Sequence, residues 1–316
     1  MCAKLLQKRD LMNQTKNILR GAALTLVGAI CLASPLSGQT SEPIVIKPLF
    51  EYPVAPDNIE SLEGKSNYLM EHFWDGMDFA QSGSVDQNAL NDAFGVYVAP
   101  MRWSEPEVAE ASVTKLISRI SKNPILSIQF AKAAEEALYG PRASFWNDVI
   151  FIKFLDNVIS CKGVKKERKL RYEQLRAQLT NTLRGSMPPE FDYTRVDGSI
   201  AHYHPNGVIT IIEFGNPDCD DCRMAKLKLD TNVRLSQLVD KGKVNVVFIN
   251  VDPDEGWQEK LKDYPSKWHV GASDTVGEIY DLRATPSIYV MDSAGHVAAK
   301  NVPVTTAIDI AVAAAQ

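Results

Sequence analysis

Two segments, Val208 to Phe214 and Lys243 to Val251, are nearly unbroken runs of β-branched and apolar residues, separated by a stretch long enough for a helix. A strand covered on both faces reads this way, because neither side of its pleat has to meet water. The runs therefore predict two buried parallel strands joined by a crossover helix, a βαβ unit. Around this unit, Phe191 to Val196 and Ser199 to His204 alternate about Asp197-Gly198, a dipeptide suited to a tight hairpin. Ser287 to Asp292 and His296 to Lys300 form a second hairpin about Ala294-Gly295, Gly256 to Tyr264 is a helical candidate, and Val304 to Ala315 makes a final helix.

Before Gly185 the hydrophobic period is helical. Ser104-Glu105-Pro106-Glu107 has the form of a capping box, with Val113, Leu116, Ile117 and Ile120 following at helical spacing. Asn123-Pro124 ends that helix and opens another, in which Leu126, Phe130, Ala134 and Leu138 share a face. Ser144 to Ser160 is apolar nearly all round, as expected of a helix buried inside a bundle, and Phe145 and Trp146, like Phe73 and Trp74, are assigned to core. Lys165 to Arg184 is strongly charged with Leu175, Leu179 and Leu183 on one stripe, which suits an outer helix closing the bundle. Gly185-Ser186-Met187-Pro188-Pro189 then breaks the pattern. The expected organisation is α+β overall: an extended Pro-rich segment over 39–60, an all-α bundle over 61–184 and an α/β domain over 185–316. A chain of 316 residues is long enough for two cores at roughly 100 to 200 residues each.

The first 38 residues read as a secretory signal peptide: Lys4, Lys8, Arg9, Lys16 and Arg20 precede the apolar stretch Gly21 to Ala33. Ile30 before Cys31 does not suit lipid attachment, so the expectation is an exported, periplasmic protein without a lipoprotein anchor. Removing five basic residues and one acidic residue takes the net charge from −5 to about −9, which argues against nucleic acid as a partner. Of the five cysteines, Cys161, Cys219 and Cys222 remain, too few for a disulfide-built scaffold. Cys161 is read as a small apolar residue filling space at a helix end.

Cys219-Asp220-Asp221-Cys222 lies on the predicted turn between the first buried strand and the crossover helix. Two cysteines at that spacing on a helix start can close a small disulfide ring with little backbone movement. The first sulfur meets the unpaired amides and the positive end of the helix dipole, both of which favour a thiolate, so Cys219 is the candidate nucleophile. Cys222, one turn further in, would resolve the mixed disulfide by attacking Cys219. Asp218, Asp220 and Asp221 surround the first sulfur with like charge, which opposes a thiolate there and predicts a reducing couple. The pair could instead be an inert local disulfide, or half of a zinc set completed by His202 and His204. No Gly-rich phosphate loop, Ser/His/Asp arrangement or paired-histidine motif stands out, so neither a cofactor nor a resident metal is expected.

In their order along the chain, Pro189 to Tyr193 with Asp197-Gly198, Phe214 to Cys222, Val251 to Asp254 before Trp257, Ile279 to Arg283, Thr285-Pro286, and Met291-Asp292 with Gly295 resemble the TlpA/ResA-type extracytoplasmic thiol–disulfide oxidoreductases. The resemblance implies a thioredoxin-like fold over 185–316. It also implies that Thr285-Pro286 is a cis-proline loop facing the dithiol and binding extended substrate, and that Glu213 is a buried acid accepting the Cys222 proton. The family usually carries an aromatic residue before its first cysteine, where this chain has Asp218. The helical half is similar to a domain of unknown function that precedes such domains in secreted Bacteroidetes proteins. The implied partners are exported protein thiols or disulfides and a membrane electron-transfer protein that recharges the dithiol. The alternative is a partner-binding module on a thioredoxin-like scaffold with a slow or vestigial couple.

Overall fold

The structure, a computed structural model, describes residues 48–80 and 83–316, and the chain divides into two compact units. The expected leader and the start of the Pro-rich segment lie outside the described residues; 48–60 runs without a helix or strand.

The first unit is helical. Helix α1 (Leu62–His72) is capped by Ser61, whose Oγ accepts the Gly64 amide at 3.0 Å, and α2 (Gln87–Val98) by Asp86, whose carboxylate accepts the Ala89 amide at 2.8 Å. Helices α3 (Pro106–Ile120) and α4 (Pro124–Leu138) follow. Each cap satisfies one of the amides that a helix start leaves without an intrahelical partner. Phe73, Trp74, Phe94, Tyr97 and Phe130 fill the core. The expected capping box at α3 does not form. Glu105 occupies the cap position without a side-chain bond, while the Ser104 hydroxyl donates to the Met101 carbonyl. Pro106 stands at the first helical position, where a missing N–H costs nothing and φ is already set.

The second unit comprises 139–141, 146–160 and 164–316. Helices α5 (Asp148–Ser160) and α6 (Lys166–Asn181), which the sequence pattern groups with the N-terminal bundle, belong to this unit. They pair through Arg176 with Asp156 and through Lys169, whose ammonium donates to the Ile159 carbonyl at 2.6 Å. Helix α5 is not buried all round as the run of apolar residues predicts. Phe151, Phe154, Leu155 and Val158 are buried, but Val149 is 58% exposed, and Trp146, ahead of the helix, is 39% exposed rather than core. Asn147 starts the helix by accepting the Ile150 amide, so Phe145 and Trp146 fall outside the helical stripe.

A seven-stranded sheet follows, built from β1 (Phe191–Arg195), β2 (Ile200–Tyr203), β3 (Ile209–Gly215), β4 (Val244–Asn250), β5 (His269–Ala272), β6 (Ser287–Met291) and β7 (Val297–Lys300), in the order β2-β1-β5-β4-β3-β6-β7. β3 and β4 are parallel, with α7 (Asp220–Asp230) and α8 (Val233–Asp240) between them, so the expected βαβ unit forms; both hairpins form as well. β6 runs antiparallel to β3, and the short α9 (Trp257–Leu261) precedes β5. Ile209, Ile211, Val244 and Val246 pack with α7, α8 and the final helix α10 (Val304–Ala314), while Ile212 and Phe214 face an aromatic layer of Phe191, Tyr193, Tyr203, Tyr280 and Tyr289. Close approach of β1 to β5 requires Gly271, where a Cβ would stand 2.4 Å from the Thr194 carbonyl oxygen. The molecule is thus an all-helical N-terminal part followed by a mixed sheet with flanking helices, the α+β organisation expected from the sequence.

Candidate active site

Strand alternation places Glu213 and Gly215 on the β3 face shared with Ile209 and Ile211, beneath α7. Cys219 is the N-cap of α7, and its sulfur accepts the Cys222 amide at 3.3 Å. This contact is what a helix start offers a sulfur: an otherwise unpartnered N–H pointing at the cap. Cys219 is partly exposed and Cys222 fully buried, and the two are unbridged. The Cys222 sulfur lies so close to β3 that a Cβ on residue 215 would stand 3.0 Å from it, which explains the glycine at the strand end.

Burial pushes the Cys222 thiol up to about 12, helped by its bond to Cys219 and by the charges of Cys219 and Glu213. Glu213 is fully buried and neither carboxylate oxygen has a hydrogen-bond partner; this desolvation raises it to about 8. Tyr264 is held above the usual phenol range by burial and then by the charges of Glu213 and Cys222. Its ring packs on Phe248, the β4 residue in register with Glu213. Nothing in the sequence pattern singled Tyr264 out.

The three acids around Cys219 are present as expected, but two of them are paired. Lys260 of α9 donates to Asp218 and to Asp254, each at 2.7 Å, and Arg223, one turn into α7, pairs with Asp220 and donates to the Asp218 carbonyl at 3.1 Å. The like charge that a linear reading assigns to the turn is therefore largely compensated, leaving Asp221 as the acid without an ion pair among the described residues. The Arg223 partner lies three residues from Asp220 and was open to an i,i+3 argument, whereas Lys260 is distant in sequence and depends on the fold.

Thr285-Pro286 is a cis peptide. Ser287, the first residue of β6, is in register with Phe214 near the end of β3, so this peptide lies at the same end of the sheet as the cysteines. His202 and His204 are not brought to the cysteines. β2 is an edge strand, four strand spacings or roughly 19 Å from β3, and His202 pairs there with Asp192 and Glu190. A Cys2His2 set cannot form.

Ahead of the Thr285-Pro286 loop stands a buried ionic cluster that the sequence pattern did not reveal. The Arg283 guanidinium bonds Asp281, with Nε at 2.9 Å, and reaches Asp148 at the start of α5 at 2.5 Å. Lys300 at the end of β7 lies 2.7 Å from Asp148 and 3.1 Å from Asp281. Burial pushes the Asp281 carboxyl up, but the hydrogen bonds and charges of Arg283 and Lys300 outweigh it and hold the group below the usual carboxylate range.

Residues 8–182 match a family described as a domain of unknown function, DUF5106, and no functionally curated protein matches the chain. Among solved structures, a thioredoxin-like protein from Bacteroides caccae is similar over 86% of this chain and 100% of its own, at 21% identity with a TM-score of 0.69. A conserved protein of unknown function from Bacteroides fragilis is 27% identical over 41% of this chain and 98% of its own, with a TM-score of 0.38. The thioredoxin domain of a thiol-disulfide oxidoreductase from Bacteroides vulgatus is 19% identical over 41% of this chain and 98% of its own, with a TM-score of 0.35. The first of these establishes the fold, and Cys219 and Cys222 stand on the strand-to-helix turn where a thioredoxin-like fold carries its active site. The chain belongs to the DUF5106 family, its helical region continuing into a thioredoxin-like fold that bears a Cys-x-x-Cys pair.

Proposed function

We propose that this protein is an exported thiol–disulfide oxidoreductase of the TlpA/ResA type that reduces protein disulfides in the periplasm. The observation that carries the proposal is the arrangement of three groups around one strand-to-helix turn: a partly exposed Cys219 sulfur accepting a helix N-terminal amide, a buried Cys222 behind it, and a buried, unpartnered Glu213 on the β3 face below. Among the described residues no helix is long and apolar enough to cross a membrane.

In the proposed cycle the Cys219 thiolate attacks a substrate disulfide, forming one S–S bond and expelling the first substrate thiolate, which takes up a proton. A thiol at about 12 supplies almost no thiolate at neutral pH, so Cys222 needs a nearby base. Glu213, raised to about 8, is the acceptor beside it: in the minor fraction of molecules where it is ionised at neutral pH, its carboxylate takes the Cys222 proton as the sulfur attacks Cys219, and the step should quicken as pH rises towards 8. The Cys219–Cys222 disulfide forms and the second substrate thiolate leaves. Two electrons have passed to the substrate, and a membrane electron-transfer partner returns them. Thr285 and Pro286 offer backbone to an extended substrate segment, since proline has no N–H to occupy the neighbouring carbonyls. The reducing direction is supported by the negative charge of Asp221 near the sulfurs, less strongly than three unpaired acids would support it.

The test is to express the mature chain with Cys222→Ser in its native host and isolate mixed disulfides on Cys219. Specific protein adducts, together with reduction of insulin by the wild-type dithiol, are the expected result. If no adduct forms and insulin stays oxidised, the dithiol is not a working couple and the binding-module alternative replaces this proposal.

A further inference from the structure

We propose that residues 139–141, 146–160 and 164–182, which belong to the second unit and lie in the C-terminal part of the region matched by DUF5106, are a positioning element of the redox site, and that Asp148 is their principal contact. The inference rests on the oxidoreductase function proposed above. The loop from Asp281 to Pro286 connects a short helical turn to β6 and ends at the Thr285-Pro286 peptide, beside the cysteine end of β3. Its own strand holds it at two points: the Tyr289 hydroxyl donates to the Asp281 carbonyl at 2.8 Å and the Ser287 hydroxyl to the Ala284 carbonyl at 2.6 Å.

Lys300 of β7 and Asn301 just beyond it also donate to the Asp281 carboxylate, at 3.1 Å and 3.2 Å, and further support comes from the helical segment. Asp148 accepts from both Arg283 and Lys300, so one carboxylate joins the start of α5 to the loop and to β7. The rings of Tyr139 and Trp146 lie against the same guanidinium, their centroids 4.1 Å and 5.4 Å from its carbon. Thr182, just past α6, accepts from Lys300 at 3.1 Å. Arg283 and Asp281 side chains are almost completely buried, and such a cluster has little freedom to rearrange because each charge would lose its partner in a place water cannot reach. The cationic head of Arg283 is thus seated between a carboxylate and two aromatic faces supplied by the helical segment, three residues before the proline.

A loop held from outside the sheet in this way sets where a substrate segment docks without touching either sulfur. Loosening it should therefore weaken productive substrate binding more than thiol reactivity. The experiment compares wild type, Asp148→Asn and Trp146→Leu for insulin reduction, iodoacetamide alkylation of Cys219 and hydrogen exchange of peptides covering 281–286. Leu235→Ala, in the helix-side core of the same unit, serves as a destabilised control.

Asp148→Asn is expected to raise the KM for insulin about tenfold with kcat within about twofold, to leave alkylation unchanged, and to speed exchange in the loop. Trp146→Leu should shift KM and exchange in the same direction by a smaller factor, and Leu235→Ala should shift neither. Unchanged KM and unchanged loop exchange in both variants overturn the positioning role while leaving the redox function standing; so does an equal loss of alkylation and insulin reduction, which would mark a general disruption. If the wild type does not reduce insulin, the function fails and loop exchange alone decides the positioning role. Should Asp148→Asn not fold, Trp146→Leu carries the same comparison.

Discussion

Replacing Glu213 by Gln should make the second unit more stable as pH rises, and the size of the effect follows from burial. In the unfolded chain the carboxyl ionises near 4.5; in the folded protein desolvation holds it protonated up to about 8. Between those values the folded state binds a proton that the unfolded state has released, so folding loses stability with each step of pH. At about 1.4 kcal/mol per unit, the cost is absent below pH 4.5, reaches about 3 kcal/mol at pH 7 and levels off near about 5 kcal/mol above pH 8. The amide has no such titration. It still buries an unpartnered polar group at a cost of about 1 to 3 kcal/mol, but that cost does not depend on pH. The assay is urea unfolding of both proteins at pH 5, 6, 7 and 8 under reducing conditions, following labelling of the buried Cys222 by peptide mass spectrometry. The expected result is a stability difference that grows steadily across this range in favour of Glu213→Gln. Two parallel stability curves would show that the carboxyl ionises normally, and with that the assignment of Glu213 as a base of raised pKa would fall. In the proposed cycle the same substitution should let the Cys219 mixed disulfide accumulate, because Cys222 loses its proton acceptor.

Three further outcomes follow from the geometry. Asp281→Ala should cost about 3 to 5 kcal/mol in urea unfolding, because it leaves the two buried cations Arg283 and Lys300 sharing the single carboxylate of Asp148. Since the folded Asp281 carboxyl is held low, the wild type keeps this stabilisation above the unfolded carboxylate range and loses it as pH falls through the folded value, which acid unfolding would detect. Gly271→Ala should destabilise by about 1 to 3 kcal/mol, because the added methyl meets backbone of β1 that cannot move without breaking its pairing with β5. Lys260→Met should slow iodoacetamide alkylation of Cys219 by a factor of about two to five at low salt, an effect that fades as salt rises, because it leaves Asp218 unpaired beside the sulfur.

Much of the second unit is legible in the chain because its signals are local. A strand buried on both faces needs apolar residues at consecutive positions, so β3 and β4 show as uninterrupted runs, and the Asp197-Gly198 turn marks the hairpin of β1 and β2. The Cys219 cap is equally local, since the amide that its sulfur accepts lies three residues ahead. Where local rules compete, the sequence misleads. Ser104 offers a capping-box pattern that Pro106 makes unnecessary, and the apolar Ser144 to Ser160 stretch hides the fact that its first residues stand outside the helix, with Trp146 lying against a distant arginine.

The strand runs, the turn residues and the cysteine spacing by themselves determined a βαβ unit with two sulfurs at its crossover turn, because hydrophobic period and short-range hydrogen bonding act between near neighbours. Only the tertiary structure decided the electrostatics. Lys260 reaches Asp218 across 42 positions, Asp148 reaches Arg283 across 135, and Glu213 is driven upward by a burial that β3, α7 and their neighbours create together. Charges act through space and through the solvent that the fold removes, so neither their partners nor their strength can be read from their order along the chain.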